Sequence, residues 1–142
     1  MEGIPKTIRQ TATVWGATPH EIFEVLMDSK KHTALAGQKT AVSRRVGGSF
    51  KVGHDLEGAH LALVKDKRIV QTWRANNWPA GTYSIATFAL SKVPGGTRIT
   101  FRQTGVPREF HLEINEGWRT YYWAPLRARF AARSRRSASR GR

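Results

Sequence analysis

From Asn115 to Phe130 apolar side chains recur every four residues, as Trp118, Tyr122, Leu126 and Phe130. Tyr121 and Pro125 broaden that row into one apolar face, with Arg119, Thr120, Arg127 and Arg129 mostly around it. A helical period with one such face predicts a long amphipathic helix. Pro125 is the discord. Inside a helix proline removes a hydrogen bond and clashes one turn back, so a kink is expected near Tyr121 to Pro125.

Between Thr40 and Gly105 the pattern alternates instead, as short strands do. Expected strands run from Ala41 to Val46, Ser49 to Gly53, Gly58 to Val64, Arg68 to Ala75, Thr82 to Ser91 and Thr97 to Thr104. Gly47-Gly48, Lys65-Asp66-Lys67, the loop Asn76 to Ala80 and Pro94-Gly95-Gly96 separate them. Residues 7–16 form a first strand, with Ile8, Val14 and Trp15 available to the interior. Thr18-Pro19-His20-Glu21 is a helix start, with Thr18 as N-cap, proline at the first helical position and Glu21 completing a capping box. That helix should reach about Asp28 and bury Ile22, Phe23, Leu26 and Met27, and residues 29–38 should make a short helix or turn ending near Gly37.

An alternating sheet needs one face covered, and the last helix is the longest apolar cover available. The expected fold class is α+β: a curved antiparallel sheet of about six strands wrapped around a long C-terminal helix. Residues 1–132 form one domain on this reading, and residues 133–142 a disordered basic tail.

Charge changes that picture only at one end. The formal net charge is +14, and half of that excess is seven arginines after Leu126, in a stretch with no acid. Ser134, Ser137, Ser139 and Gly141 interleave with the last of them, a composition that cannot bury apolar surface. No aromatic residue follows Phe130 to stack on bases, which argues against nucleic acid as a partner. Removing residues 133–142 should leave folding unchanged. Cysteine is absent and no apolar run is long enough to span a bilayer, so the reading is a soluble, cytoplasmic protein without disulfides or thiolate chemistry.

Candidate chemistry is sparse. There is no G-x-S-x-G elbow, no Cys/His pair and no glycine-rich phosphate cradle, so no catalytic residue and no cofactor is expected. His54, Asp55, Glu57 and His60 are the nearest approach to a metal cluster, but nothing fixes a third ligand and they read as solvated turn residues. Aromatic residues are dense, and the plain reading of each is core. If the kinked helix leaves space above the sheet, Trp73, Phe88, Phe101, Trp118 and Tyr122 are the expected wall, with His60 and Gln103 as polar contacts. Arg44, Arg45, Arg68, Arg74, Arg98, Arg102 and Arg108 give the sheet a positive surface of its own.

Several spaced elements carry a family likeness over residues 8–131. Arg68 to Arg74 (RIVQTWR), Trp78 to Tyr83 (WPAGTY), Gly96-Thr97, Gly105-Val106-Pro107 and Glu116 to Trp123 (EGWRTYYW), with Gly47-Gly48-Ser49-Phe50 and Gly58, fall in the order found in that family. The chain resembles the C-terminal-type domain of the activator of Hsp90 ATPase homologue family, within the START-like superfamily. That resemblance implies a helix-grip fold, in agreement with the sheet-around-helix pattern. Co-chaperones of the family carry their activating motif in a separate N-terminal domain, of which the sequence has no counterpart.

Three functions remain open on the sequence. The first is a binding protein that takes a small hydrophobic or aromatic molecule between sheet and helix. The second, implied by the resemblance, is a co-chaperone-like protein that modulates an Hsp90-type ATPase through a basic surface. The third is an enzyme of the polyketide cyclase or aromatase kind, which needs a polar acid or base facing the cavity.

Overall fold

The computed structural model describes residues 4–140, with side chains described through Arg133. Seven strands form one antiparallel sheet: β1 (Lys6–Trp15), β2 (Thr40–Val42), β3 (Ser49–Val52), β4 (Leu56–Val64), β5 (Arg68–Ala75), β6 (Ser84–Val93) and β7 (Gly96–Val106). Their spatial order is β1-β7-β6-β5-β4-β3-β2, so consecutive strands from β2 onward are neighbours and β1 closes against the last. Two helices, α1 (Pro19–Met27) and α2 (Ser29–Ala36), carry the chain from one sheet edge to the other.

Local chemistry accounts for these helices. Thr18 accepts a hydrogen bond from the Glu21 backbone N–H while Glu21 reaches back to the Thr18 N–H, which is the reciprocal capping box. Asp28 ends α1 and caps α2 through the Lys31 N–H, and Gly37, in the left-handed region at φ 74°, ends α2. Apolar burial follows the expected spacing, with Ile22, Phe23, Val25, Leu26 and Met27 all inside.

The first strands differ from expectation in two respects. Ala41 to Val46 does not run as one strand, because pairing of β2 with β3 stops at Val42–Phe50 and the chain loops out. Gly47 and Gly48 then exchange backbone hydrogen bonds with His60 of β4, so this loop is tied to the sheet from its far side. Trp15 is half exposed although its neighbour Val14 is fully buried, since successive side chains of a strand point to opposite faces. A Cβ on Gly96 would lie 3.2 Å from the Trp15 ring, and Gly96 is the residue opposite Trp15.

Both sheet edges are capped by side chains. On β2, Ser29 Oγ receives the Val42 N–H and Thr33 Oγ1 receives the Thr40 N–H. At the other edge Arg127 donates to the Thr13 carbonyl and Arg133 to the Gly16 carbonyl. These bonds occupy some of the edge groups that would otherwise template strand addition.

After a short 3-10 turn (Arg108–Phe110) the C-terminal helix starts at His111, earlier than its apolar row, as α3 (His111–Trp118). It passes through a π turn (Arg119–Trp123) and continues as α4 (Ala124–Arg140). The irregularity expected near Pro125 takes this form. Pro125 has no N–H to offer the Tyr121 carbonyl, and the chain widens just before it, with the Ala124 N–H bonded back to the Arg119 carbonyl. The wide turn also explains why Tyr122 and Trp123, adjacent in sequence, are both buried. The backbone of α4 includes part of the stretch read as a basic tail. The side chains of 134–140, and residues 141 and 142 altogether, lie outside the described residues.

Candidate functional site

Trp118 is the hub of the interior. Its ring centroid lies 4.3 Å from Phe101, 4.8 Å from Tyr122, 5.5 Å from Trp73, 5.6 Å from Phe88 and 5.7 Å from Trp123. Such tilted and edge-on contacts add to the area each ring buries. The polar atoms of Trp118, Trp123 and Tyr122 each have a partner. Trp118 Nε1 donates to Gln103 Oε1, Gln103 Nε2 donates to Ser84 Oγ, and Ser84 Oγ donates to the Trp73 carbonyl. Trp123 Nε1 donates to Gln10 Oε1, whose amide nitrogen in turn donates to the backbone and side-chain oxygens of Asn115.

Tyr122 is held from the other side. His32 Nδ1 lies 2.9 Å from the Leu26 carbonyl, which only an N–H can satisfy, so Nδ1 carries the proton of a neutral ring. Its bare Nε2 then accepts the Tyr122 hydroxyl at 2.9 Å. Burial pushes the His32 pKa down, partly offset by the Leu26 carbonyl, and pushes the Tyr122 hydroxyl up. Burial thus favours the neutral form of both groups, as expected of a buried pair without a charge partner.

Beside this filled interior a cavity of about 380 Å³ opens between the ends of β3, β4 and β5 and the α3 side of the long helix. Val52, Leu56, Trp73 and Ala75 line it from the sheet, and Ile114, Gly117, Trp118, Tyr121 and Tyr122 from the helix. Three small residues from separate elements, Ala36, Ala75 and Gly117, border the same volume. Gln38, Asp55, Asn76, Asn77 and Glu113 complete the lining with polar groups. The volume falls in the range of small-molecule sites, about 300–1,000 Å³.

Of the residues expected to line such a space, the structure brings Trp73, Trp118 and Tyr122 to it and not the other four. Phe88 and Phe101 stand behind Trp118, 5.1 Å from each other and closed off by Trp123. Gln103 is fully buried and spends its amide on Trp118 and Ser84. His60 is 2% exposed, stacked on Phe50, with Gln71 Nε2 at 3.5 Å from Nδ1 and no partner for Nε2. It is therefore core rather than a solvated turn residue, and burial lowers its pKa. His54 and Asp55 are exposed and Glu57 bonds Arg74, so the acidic and histidine residues of that stretch do not converge. No group of metal-binding side chains occurs among the described residues.

Residues that sequence reasoning missed are Ile114, Tyr121, Asp55 and Glu113 together with the three small ones. Ile114 and Glu113 lie in α3, one turn before the apolar row, where the helix start had been set too late.

The arginines of the sheet divide as well. Arg44 pairs with Glu24, and half-buried Arg74 holds Glu57 and the Trp78 and Thr82 carbonyls. Arg9, Arg68, Arg98 and Arg102 are exposed and have no ion-pair partner among the described residues. Arg9 sits directly opposite Arg102 across β1 and β7, and β1, β5, β6 and β7 contain no acid.

A seven-stranded antiparallel sheet folded over a C-terminal helix defines the helix-grip class. Within it, the chain belongs to the family described as Activator of Hsp90 ATPase homolog 1-like protein, whose model matches residues 16–131. It is 25% identical over 114 residues to the human Activator of 90 kDa heat shock protein ATPase homolog 1, covering 80% of this chain and 34% of that protein. The Dictyostelium discoideum homolog is 30% identical over 105 residues, covering 72% of this chain and 27% of the relative. The chain thus spans about a third of the length of the curated relatives it matches. A crystal structure of an HSP90 activator from Plasmodium falciparum shares the fold, with TM-score 0.70 and 22% identity over 86% of this chain and 91% of that one. Among the described residues no helix is long and apolar enough to cross a membrane.

Proposed function

We propose that this domain is a non-enzymatic binding protein that takes a small apolar or aromatic molecule in the cavity between Trp73, Leu56 and the α3 side of the long helix. One observation carries the reading: about 380 Å³ bordered by Ala36, Ala75 and Gly117 is unfilled beside an interior that is otherwise packed ring against ring. The space is open at its polar rim, and a ligand that displaces water from Leu56, Ile114 and Trp73 buries apolar surface that the fold leaves wet. The hydroxyl of Tyr122 is spent on His32, and the carboxylates at the cavity are exposed, so neither supplies a buried acid or base for cyclase-type chemistry. Native mass spectrometry and thermal shift against a panel of apolar ligands test the reading. A ligand at about 100 times its Kd should stabilise the protein by about 2.7 kcal/mol. Gly117→Leu, whose side chain enters the cavity, should abolish that gain, whereas a shift that survives Gly117→Leu would place binding elsewhere.

A second reading rests on the outer sheet face. Arg9 and Arg102, opposed with no acid beside them, repel one another until something negative covers them, and Arg98 and Arg68 extend the same face. A protein partner with an acidic surface suits this face, and the names of the relatives suggest an Hsp90-type chaperone. Stimulation of such an ATPase that is lost in the triple variant R9E/R98E/R102E, with the fold intact by circular dichroism, supports it. Equal stimulation by variant and wild type overturns it.

A further inference from the structure

The polar lining of the cavity points to one ligand class. In a chain of net charge +14, the charged side chains that line the cavity among the described residues are Asp55 and Glu113, with no described lysine, arginine or histidine beside them. The remaining polar groups are mostly amides. Gln38 turns its amide nitrogen to Asp55 Oδ2 at 3.1 Å, so this donor is spent on the carboxylate. Asp55 Oδ1 and the Glu113 carboxylate receive no side-chain hydrogen bond among the described residues, so acceptor capacity is left over at the rim.

The aromatic lining at the rim has the same electrostatic sense. Tyr121, which is 66% exposed beside the rim, offers a ring of the kind that attracts organic cations, while the buried Trp73, Trp118 and Tyr122 rings supply apolar wall. The Tyr122 hydroxyl donates to His32 and offers no proton to a ligand. An anion in this cavity would meet two carboxylates and few free donors, and a cation would meet carboxylates and the Tyr121 ring together.

We infer that the cavity selects organic cations, molecules with an apolar or aromatic body and a protonated amine or quaternary ammonium end. The body packs against Leu56, Ile114 and Trp73 inside, and the charged end stays at the Asp55 and Glu113 rim, where water still reaches it. This inference rests on the ligand-binding reading above and adds a charge preference to it.

Three probes with one scaffold test it: phenylbutylamine, phenylbutanol and phenylbutyrate, titrated against the whole chain by tryptophan fluorescence and chemical-shift mapping. The amine should bind about 10-fold tighter than the acid, with the alcohol between, and the spread should shrink in high salt. Asp55→Asn with Glu113→Gln should bring amine and alcohol to within about 2-fold, leaving alcohol binding as it was. Both positions are exposed, so the double variant should keep the fold. Alcohol or acid binding tighter than the amine, at a site blocked by Gly117→Leu, overturns the cation preference and leaves the cavity reading standing. Saturable binding by none of the three overturns both.

Discussion

On the β6–β7 side of Trp118 the rings of Phe88, Phe101 and Trp123 occupy the space between sheet and helix, whereas on the β3–β5 side the space bordered by Ala36, Ala75 and Gly117 is open. Both halves belong to one apolar layer. They differ in side-chain volume and in polar matching: the closed half satisfies each indole N–H of Trp118 and Trp123 internally, and the open half keeps unspent carboxylate acceptors at its rim. One half therefore holds the fold together and the other is free to take a ligand. Trp118 is the partition, touching Phe101 behind it and lining the cavity in front.

Removing the partition should give the largest effect. Trp118→Ala merges the cavity with the space behind it and strips contacts from five rings, so a loss of about 3–5 kcal/mol is expected in urea unfolding. A loss under about 1 kcal/mol would mean that the two halves are not separated by this residue. Gln103→Leu comes next. It keeps the volume but orphans the Trp118 N–H and removes the donor to Ser84 Oγ, whose own bond to the Trp73 carbonyl remains, at a cost of about 1–3 kcal/mol. Restoring the acceptor with Gln103→Glu would not rescue it, since a carboxylate has no amide proton to give Ser84 and its charge would be buried.

Acid probes the wall that the halves share. In the folded protein burial keeps His32 neutral, while in the unfolded chain its imidazole takes a proton from about its ordinary 6.5 downward. The unfolded state then binds more protons, so stability is full above pH 6.5 and falls as pH drops below it, by at most about 1.4 kcal/mol per unit for this group. His60 adds a second contribution of the same sign. His32→Gln should flatten the part of the slope due to His32 between pH 6.5 and the folded-state value. An unchanged slope assigns the acid sensitivity to His60 or to carboxylates.

The closed half was legible in the sequence, and of the open half only the walls Trp73, Trp118 and Tyr122. Alternation places Ser84, Ala86, Phe88 and Leu90 on one face, and all four are buried, because a strand with one covered face has no other way to arrange them. The row Trp118, Tyr122, Leu126 and Phe130 is likewise buried throughout. What periodicity reports is which face points inward, and Phe88, Phe101, His60 and Gln103 are inward without reaching a cavity. Empty space depends on residues that make no pattern, an alanine after a helix turn or a glycine one position before a tryptophan. It also depends on Pro125, whose local effect was expected but whose resolution as a π turn, rotating Tyr122 and Trp123 inward together, requires the neighbouring turns to be seen. The tail was read as beginning at residue 133, whereas the Arg133 side chain is tied to Glu21 and the Gly16 carbonyl.

A pair of small substitutions gives the sharpest comparison, because the halves should respond with opposite sign to added atoms. Ala86 is fully buried in the closed half, where Ala86→Val should overpack and cost about 1–3 kcal/mol. Gly117 borders the open half, and a Cβ built there has its nearest neighbour, Tyr121 Cδ2, at 3.7 Å, an ordinary contact. Within α3 the exchange of glycine for alanine also lowers the entropy of the unfolded chain, so Gly117→Ala should stabilise by about 0.5–1 kcal/mol. The same methyl takes volume from the ligand site, and the variant should bind the phenylbutyl probes more weakly while melting at a higher temperature. A protein that retains a destabilising glycine where alanine fits without a clash is trading stability for space. If Gly117→Ala is instead destabilising, the cavity is closed in solution by movement of the helix, and the difference between the halves is one of mobility rather than of volume.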